Sequence, residues 1–181
     1  PATLPVLAWL RLPDRYGISA ATAMGESAWL DALDRALAAG LRLVQLREKG
    51  MAEAAFDRLF QATLARCRRA GATLLVNAAH PLRYWQAADG VHLTSAALAV
   101  LDARPACATV AASCHDAAQV KRAGDLGLDF VVLGPVKPTA SHPGAQPMGW
   151  PAFTTIVESS PLPVFALGGL AAGDADEARA A

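Results

Sequence analysis

From Arg15 onward, short apolar runs alternate with helical stretches, and no other property of this 181-residue chain restricts its fold so strongly. Tyr16–Ser19, Leu41–Arg47, Thr73–Asn77, Gly90–Leu93, Ala108–Ser113, Asp129–Gly134 and Leu162–Gly169 read as strands. The intervening helices are expected from a Ser27 cap to Ala39, from about Ala52 to Ala70, around Pro81 to Ala88, over Ser95–Leu101, Asp116–Ala123 and Trp150–Ser159, and from Ala172 to Ala181. Trp29, Leu30, Leu33 and Leu37 mark the apolar side of the first helix, and Phe56, Leu59, Phe60, Leu64 and Cys67 that of the second. Seven strand–helix units imply a parallel sheet covered on both faces. Because no glycine-rich phosphate loop follows the first strand, the expectation is an α/β (β/α)8 TIM barrel with its eighth β/α unit missing from this chain.

Pro1–Asp14 mixes prolines with Leu, Val and Trp, so residues 1–14 read as a linker or N-terminal extension and 15–181 as the barrel. Sixteen basic residues balance sixteen acidic ones, which leaves no net field to draw in nucleic acid or an anionic membrane. Any anion site must therefore be local. Cys67, Cys107 and Cys114 have neither paired nor metal-ligand spacing, which points to a reducing, cytoplasmic setting. No apolar run is long enough to cross a bilayer. A homo-oligomer stays open.

The richest stretch chemically is Val44–Gly50. Gln45, Arg47 and Lys49 occupy alternate positions directly behind an apolar run, so on an extended chain their side chains share one side. At the carboxyl end of a barrel strand that side is the interior, and an Arg with a Lys suits phosphate or diphosphate. The plainer alternative is three solvated residues of a loop. Cys67 reads as a core thiol, Cys114 as buried, and His92 as an interior histidine with a partner.

Six segments in order carry a resemblance: Gln45–Lys49, Val76-Asn77, Ala88–Leu93, Ala112–His115, Asp129–Val136 with Pro138-Thr139, and Ala166–Gly169. The succession resembles thiamin-phosphate synthase and its relative TenI, barrels of thiamin assembly. The resemblance implies that Gln45, Arg47, Lys49 and Asn77 hold a pyrimidine diphosphate, and that Gly168 and Gly169, helped by the positive end of the next helix, hold the phosphate of a thiazole. Ser113, Thr139, Ser141 and His142 then fall around the thiazole, His142 standing in for a family Lys, and Lys137 takes a position that is usually Phe. His115 matches the residue that serves TenI as acid and base in moving a proton on the thiazole.

The family also implies magnesium, but its two carboxylate positions are Ala78 and Ala97, so no metal site is expected. The readings left are a TenI-like tautomerase, a weakened synthase, or a degenerate barrel that binds a thiazole or thiamin phosphate. The opening linker resembles what precedes such barrels behind a Nudix hydrolase domain, which would make a covalently attached Nudix module the partner.

Overall fold

The computed structural model describes residues 12–139, 144 and 146–181. They form two compact units, one running to His92 and taking in Ala106–Thr109, the other holding Leu93–Pro105 and Val110–Ala181. Among the described residues no helix is long and apolar enough to cross a membrane.

In the first unit β1 (Gly17–Ile18), β2 (Leu43–Leu46), β3 (Thr73–Asn77) and β4 (Gly90–Leu93, ending one residue outside it) lie side by side in chain order, all parallel. The alternation of side chains along β2 and β3 sends Val44, Leu46, Leu74 and Val76 to one face. There they pack with Trp29, Leu33 and Leu37 of α2 (Glu26–Ala38) and with Phe56, Leu59, Phe60, Leu64 and Cys67 of α3 (Glu53–Ala70). Leu43, Gln45, Leu75 and Asn77 occupy the other face and are buried as well. Burial on both faces explains why these strands carry so few charges.

Ser27 does not cap α2. The helix starts two residues earlier, at Glu26 behind Gly25, whose φ of +91° lies where a side chain is disfavoured. A four-residue helix, α1 (Ala21–Met24), precedes it and left no periodic signal in the sequence. α4 (Leu82–Ala87) follows β3 and buries Tyr84.

The second unit contains α5 (Ser95–Ala99), β5 (Thr109–Cys114, beginning one residue outside it), α6 (Ala117–Asp125), β6 (Phe130–Leu133), α7 (Gly149–Glu158), β7 (Val164–Ala166) and α8 (Ala175–Ala180). Its strands pair parallel in the order β5-β6-β7. The last strand is much shorter than the expected Leu162–Gly169, and the expected final helix opens with a 3-10 turn over Ala172–Asp174. Seven parallel strands establish an α/β fold; closure into an eight-stranded barrel is not shown.

Strand register is fixed by the same device in each unit. The Asp89 N–H donates to the Leu74 carbonyl (3.0 Å) while its carboxylate accepts from the Leu74 N–H (2.8 Å). Asp129 does the same with Val110, at 2.9 and 2.7 Å, and Arg104 pairs with its carboxylate at 2.8 Å. Both aspartates directly precede a strand, so they tie down the amino end and leave the carboxyl end for chemistry.

Candidate active site

Each unit carries its own group of candidate residues. In the first, pairing of Asn77 with His92 and of Ile18 with Gln45 brings four polar side chains of neighbouring strands together. The Asn77 Nδ2 donates to the Gln45 Oε1 at 2.9 Å, and the Asn77 Oδ1 accepts from the Ala79 N–H at 3.1 Å. Gln45 also bonds the Tyr16 hydroxyl, which lies 3.1 Å from the His92 Nδ1.

Burial pushes the Tyr16 hydroxyl well above its ordinary pKa, against the donation from Gln45. Burial, with the positive charge of Arg47, pushes His92 down to about 3. His92 is thus a neutral interior histidine, as expected from its place in the strand. β2 ends at Leu46, so Arg47 and Lys49 follow it rather than continue it; Arg47 is half-buried and Lys49 exposed, against the buried Gln45.

Glu48, between those two cations, is buried and was given no role by the sequence. Its carboxylate accepts from the N–H groups of Ala21 (2.8 Å) and Thr22 (2.7 Å), from the Thr22 hydroxyl (2.6 Å), and from Ser19. Burial alone would raise its pKa, but the donors outweigh it and hold the carboxyl below its usual range. Its own N–H points at the His80 Nε2, 3.3 Å away. His80, to which the sequence assigns nothing, stacks on Phe56 with ring centroids 3.7 Å apart. Only the odd position of Glu48 between two alternating cations hinted that it turns the other way.

In the second unit His115 follows β5 and is exposed. Its Nδ1 lies 2.6 Å from the Gly134 carbonyl and its N–H donates to the Gln119 Oε1 at 2.9 Å. The cap of α6 is Asp116, whose Oδ1 accepts from the Gln119 N–H at 2.8 Å, so His115 is not spent on starting that helix. Ser113 and Thr139 are half-buried, on β5 and behind β6; Ser141 and His142 lie outside the described residues. Cys114 and Cys67 are both pushed up to about 12, mainly by burial, and are inert thiols at neutral pH.

Gly168 and Gly169 have positive φ, +100° and +65°, and pack against the loop after β6. A Cβ at Gly169 would lie 2.3 Å from the Pro138 carbonyl, and the Gly168 carbonyl accepts from the Lys137 N–H at 3.0 Å. The pair therefore has a packing role of its own. The Lys137 Nζ reaches the Asp174 Oδ1 at 2.6 Å, and the Asp174 Oδ2 accepts from the Ala171 N–H at 2.8 Å. The helix expected beyond the glycines begins with the 3-10 turn over Ala172–Asp174, and Asp174, Asp176 and Glu177 lie at its start.

A family model described as thiamine monophosphate synthase, TMP-TENI, matches residues 16–181. The chain belongs to that family. It is 35% identical over 152 residues to a thiamine-phosphate synthase of Thermus thermophilus, covering 83% of this chain and 74% of the relative. It is 37% identical over 149 residues to the thiamine biosynthesis bifunctional protein ThiM/ThiE of Symbiobacterium thermophilum, covering 80% of this chain but 31% of that longer protein. The thiamine phosphate pyrophosphorylase of Pyrococcus furiosus shares the fold, with a TM-score of 0.74 at 24% identity over 91% of this chain and 79% of the other. Membership of the thiamine monophosphate synthase family places the chain in thiamine biosynthesis. The matched region starts at Tyr16, so the Nudix reading rests on the opening residues alone.

A carboxylate-held magnesium does not fit the residues present. Ala78 and Ala97 offer methyl groups, their N–H groups donating to the His92 carbonyl and the Thr94 hydroxyl. Glu48, the carboxylate beside the two cations in the chain, already accepts from Ser19, Ala21 and Thr22. Among the described residues no group of three or more His, Cys, Asp or Glu side chains is placed to hold a metal ion.

Proposed function

We propose that this family member holds a phosphorylated thiazole and moves a proton on it, as a TenI-like tautomerase. The orientation of His115 carries the reading. A carbonyl can only accept, so the Nδ1 facing the Gly134 carbonyl bears the hydrogen. The Nε2 is then left with its lone pair, the form a general base needs. It would take a proton from one ring atom and return it at another, a shift that consumes neither water nor an oxidant. Such a reaction expels no leaving group and so makes no demand for a metal, which suits alanine at positions 78 and 97.

The further contacts belong to the same reading. Gly168 and Gly169 would receive the phosphate through backbone N–H groups, and Ser113, Thr139, Ser141 and His142 would surround the thiazole. The barrel closure and cytoplasmic setting expected from the sequence go with it.

A second reading is favoured by the bonded pair of Gln45 and Asn77 beside Arg47 and Lys49. These side chains suit a pyrimidine diphosphate, and a weakened coupling of pyrimidine to thiazole would use them. Two cations alone stabilise a departing diphosphate less well than a bridging metal does. In the third reading, a degenerate module attached to a Nudix hydrolase, phosphate compounds bind without turnover.

The test is to incubate the full chain with the non-aromatic thiazole phosphate isomer and follow formation of the aromatic one. Turnover lost in His115→Ala supports the tautomerase. Thiamin phosphate appearing when pyrimidine diphosphate is added, with or without magnesium, supports the second reading. Binding of either compound with no product supports the third.

A further inference from the structure

We infer that Glu48 is a positioning residue: its clamped carboxylate fixes the backbone from which Arg47 and Lys49 present their cations to a diphosphate-class anion. This deepens the reading of Arg47 and Lys49 as an anion grip and rests on it. The loops following β1, β2 and β3 all meet at this residue. Its side chain gathers Ser19, Ala21 and Thr22 from the first, and its N–H reaches His80 in the third. Ser19 closes the circuit by accepting the Arg47 N–H at 2.8 Å. The backbone between the two cations is thus bonded on every side, while the cations themselves are half-buried and exposed.

The chemistry calls for a carboxylate. Two backbone N–H groups, one hydroxyl of Thr22 and one of Ser19 all need acceptors, and only an ionised acid offers enough lone pairs on two oxygens. Glutamine keeps the shape but turns one oxygen into a donor, which sets N–H against N–H. The segment must then shift. Its neighbours Arg47 and Lys49 would move with it, and a displacement of about 1 Å is enough to spoil convergence on one anion.

The experiment is isothermal titration of the full chain, below its melting range, with inorganic diphosphate and separately with thiazole phosphate. The expected result is that Glu48→Gln weakens diphosphate by roughly tenfold, as Arg47→Ala does, while thiazole phosphate binding is untouched. Glu48→Asp should fall in between, and Leu64→Val, a core change in α3, should lower the melting temperature without weakening diphosphate. If Arg47→Ala weakens diphosphate but Glu48→Gln binds it as the parent does, the positioning role is wrong. If Arg47→Ala has no effect, the anion grip itself is wrong. Weakening of both ligands by Glu48→Gln and Leu64→Val alike would mean a merely structural role. Should Glu48→Gln fail to fold, Thr22→Val and Ser19→Ala each remove one donor and carry the same expectation in milder form.

Discussion

The two units treat polar side chains in opposite ways. The first buries them: Gln45, Glu48, Asn77 and His92 are all at most 3% exposed, and each has its partners. The second keeps its leading candidate, His115, exposed, with its Nδ1 facing the Gly134 carbonyl. A buried, bonded network holds a fixed shape and pays for that with pH sensitivity, whereas an exposed imidazole is open to a ligand. On the proposed reading the difference separates gripping from chemistry, and it yields graded predictions.

The largest effect concerns His92. Below about pH 6.5 the unfolded chain takes up a proton there, while the folded chain resists until about pH 3. Stability contributed by the neutral ring is therefore complete above that range and is lost as the pH falls through it, at up to about 1.4 kcal/mol per unit. Glu48, held low in the folded state, acts in the same direction at more acid pH. On acidification the amide protection factors, corrected for the intrinsic exchange rate at each pH, should fall in β1–β4 before β5–β7, and His92→Gln should flatten the dependence. A uniform fall in both units would break the contrast.

Next comes His115→Ala. It should cut tautomerase kcat about 100-fold or more and leave the melting temperature within about 1 °C, since the side chain is exposed. A large loss of stability would move His115 into the structural class. Smaller is Gly169→Ala, which meets both a φ of +65° and a carbonyl 2.3 Å away; thermal unfolding should show a loss of about 2 kcal/mol. Gly173→Ala, with nothing within 4 Å of its Cβ, should change stability by less than about 0.5 kcal/mol. The smallest effect belongs to Lys121→Ala in α6, which breaks an exposed pair with Asp125 and should cost at most about 0.5 kcal/mol.

β3 and β4 lie where the sequence put them, Thr73–Asn77 and Gly90–Leu93, because apolar runs end there at plain turn signals. The apolar face of α3 was equally readable from its helical spacing. The start of α2 was not: Ser27 looked like a cap, but the turn depends on the backbone of Gly25, which no side chain announces. β7 was overread because Leu162–Gly169 is apolar throughout while only Val164–Ala166 pairs. In the candidate site, alternation singled out Gln45, Arg47 and Lys49, of which only Gln45 lies on β2; the other two follow its end at Leu46. Alternation could not reveal Glu48, whose donors lie 26 and 27 residues upstream in a segment without periodicity. Nor could it foresee that Gly168 and Gly169 are shaped by a neighbouring loop.

The aspartates that precede β4 and β6 anchor those strands from below, by bonds that owe nothing to the loops above. A scaffold secured at its base can change its rim at little risk to the frame. Ala78 directly follows β3 and Ala97 lies in α5, both away from those anchors and open to revision. Acidic residues placed there would ask whether a magnesium-assisted coupling can be introduced without disturbing the frame.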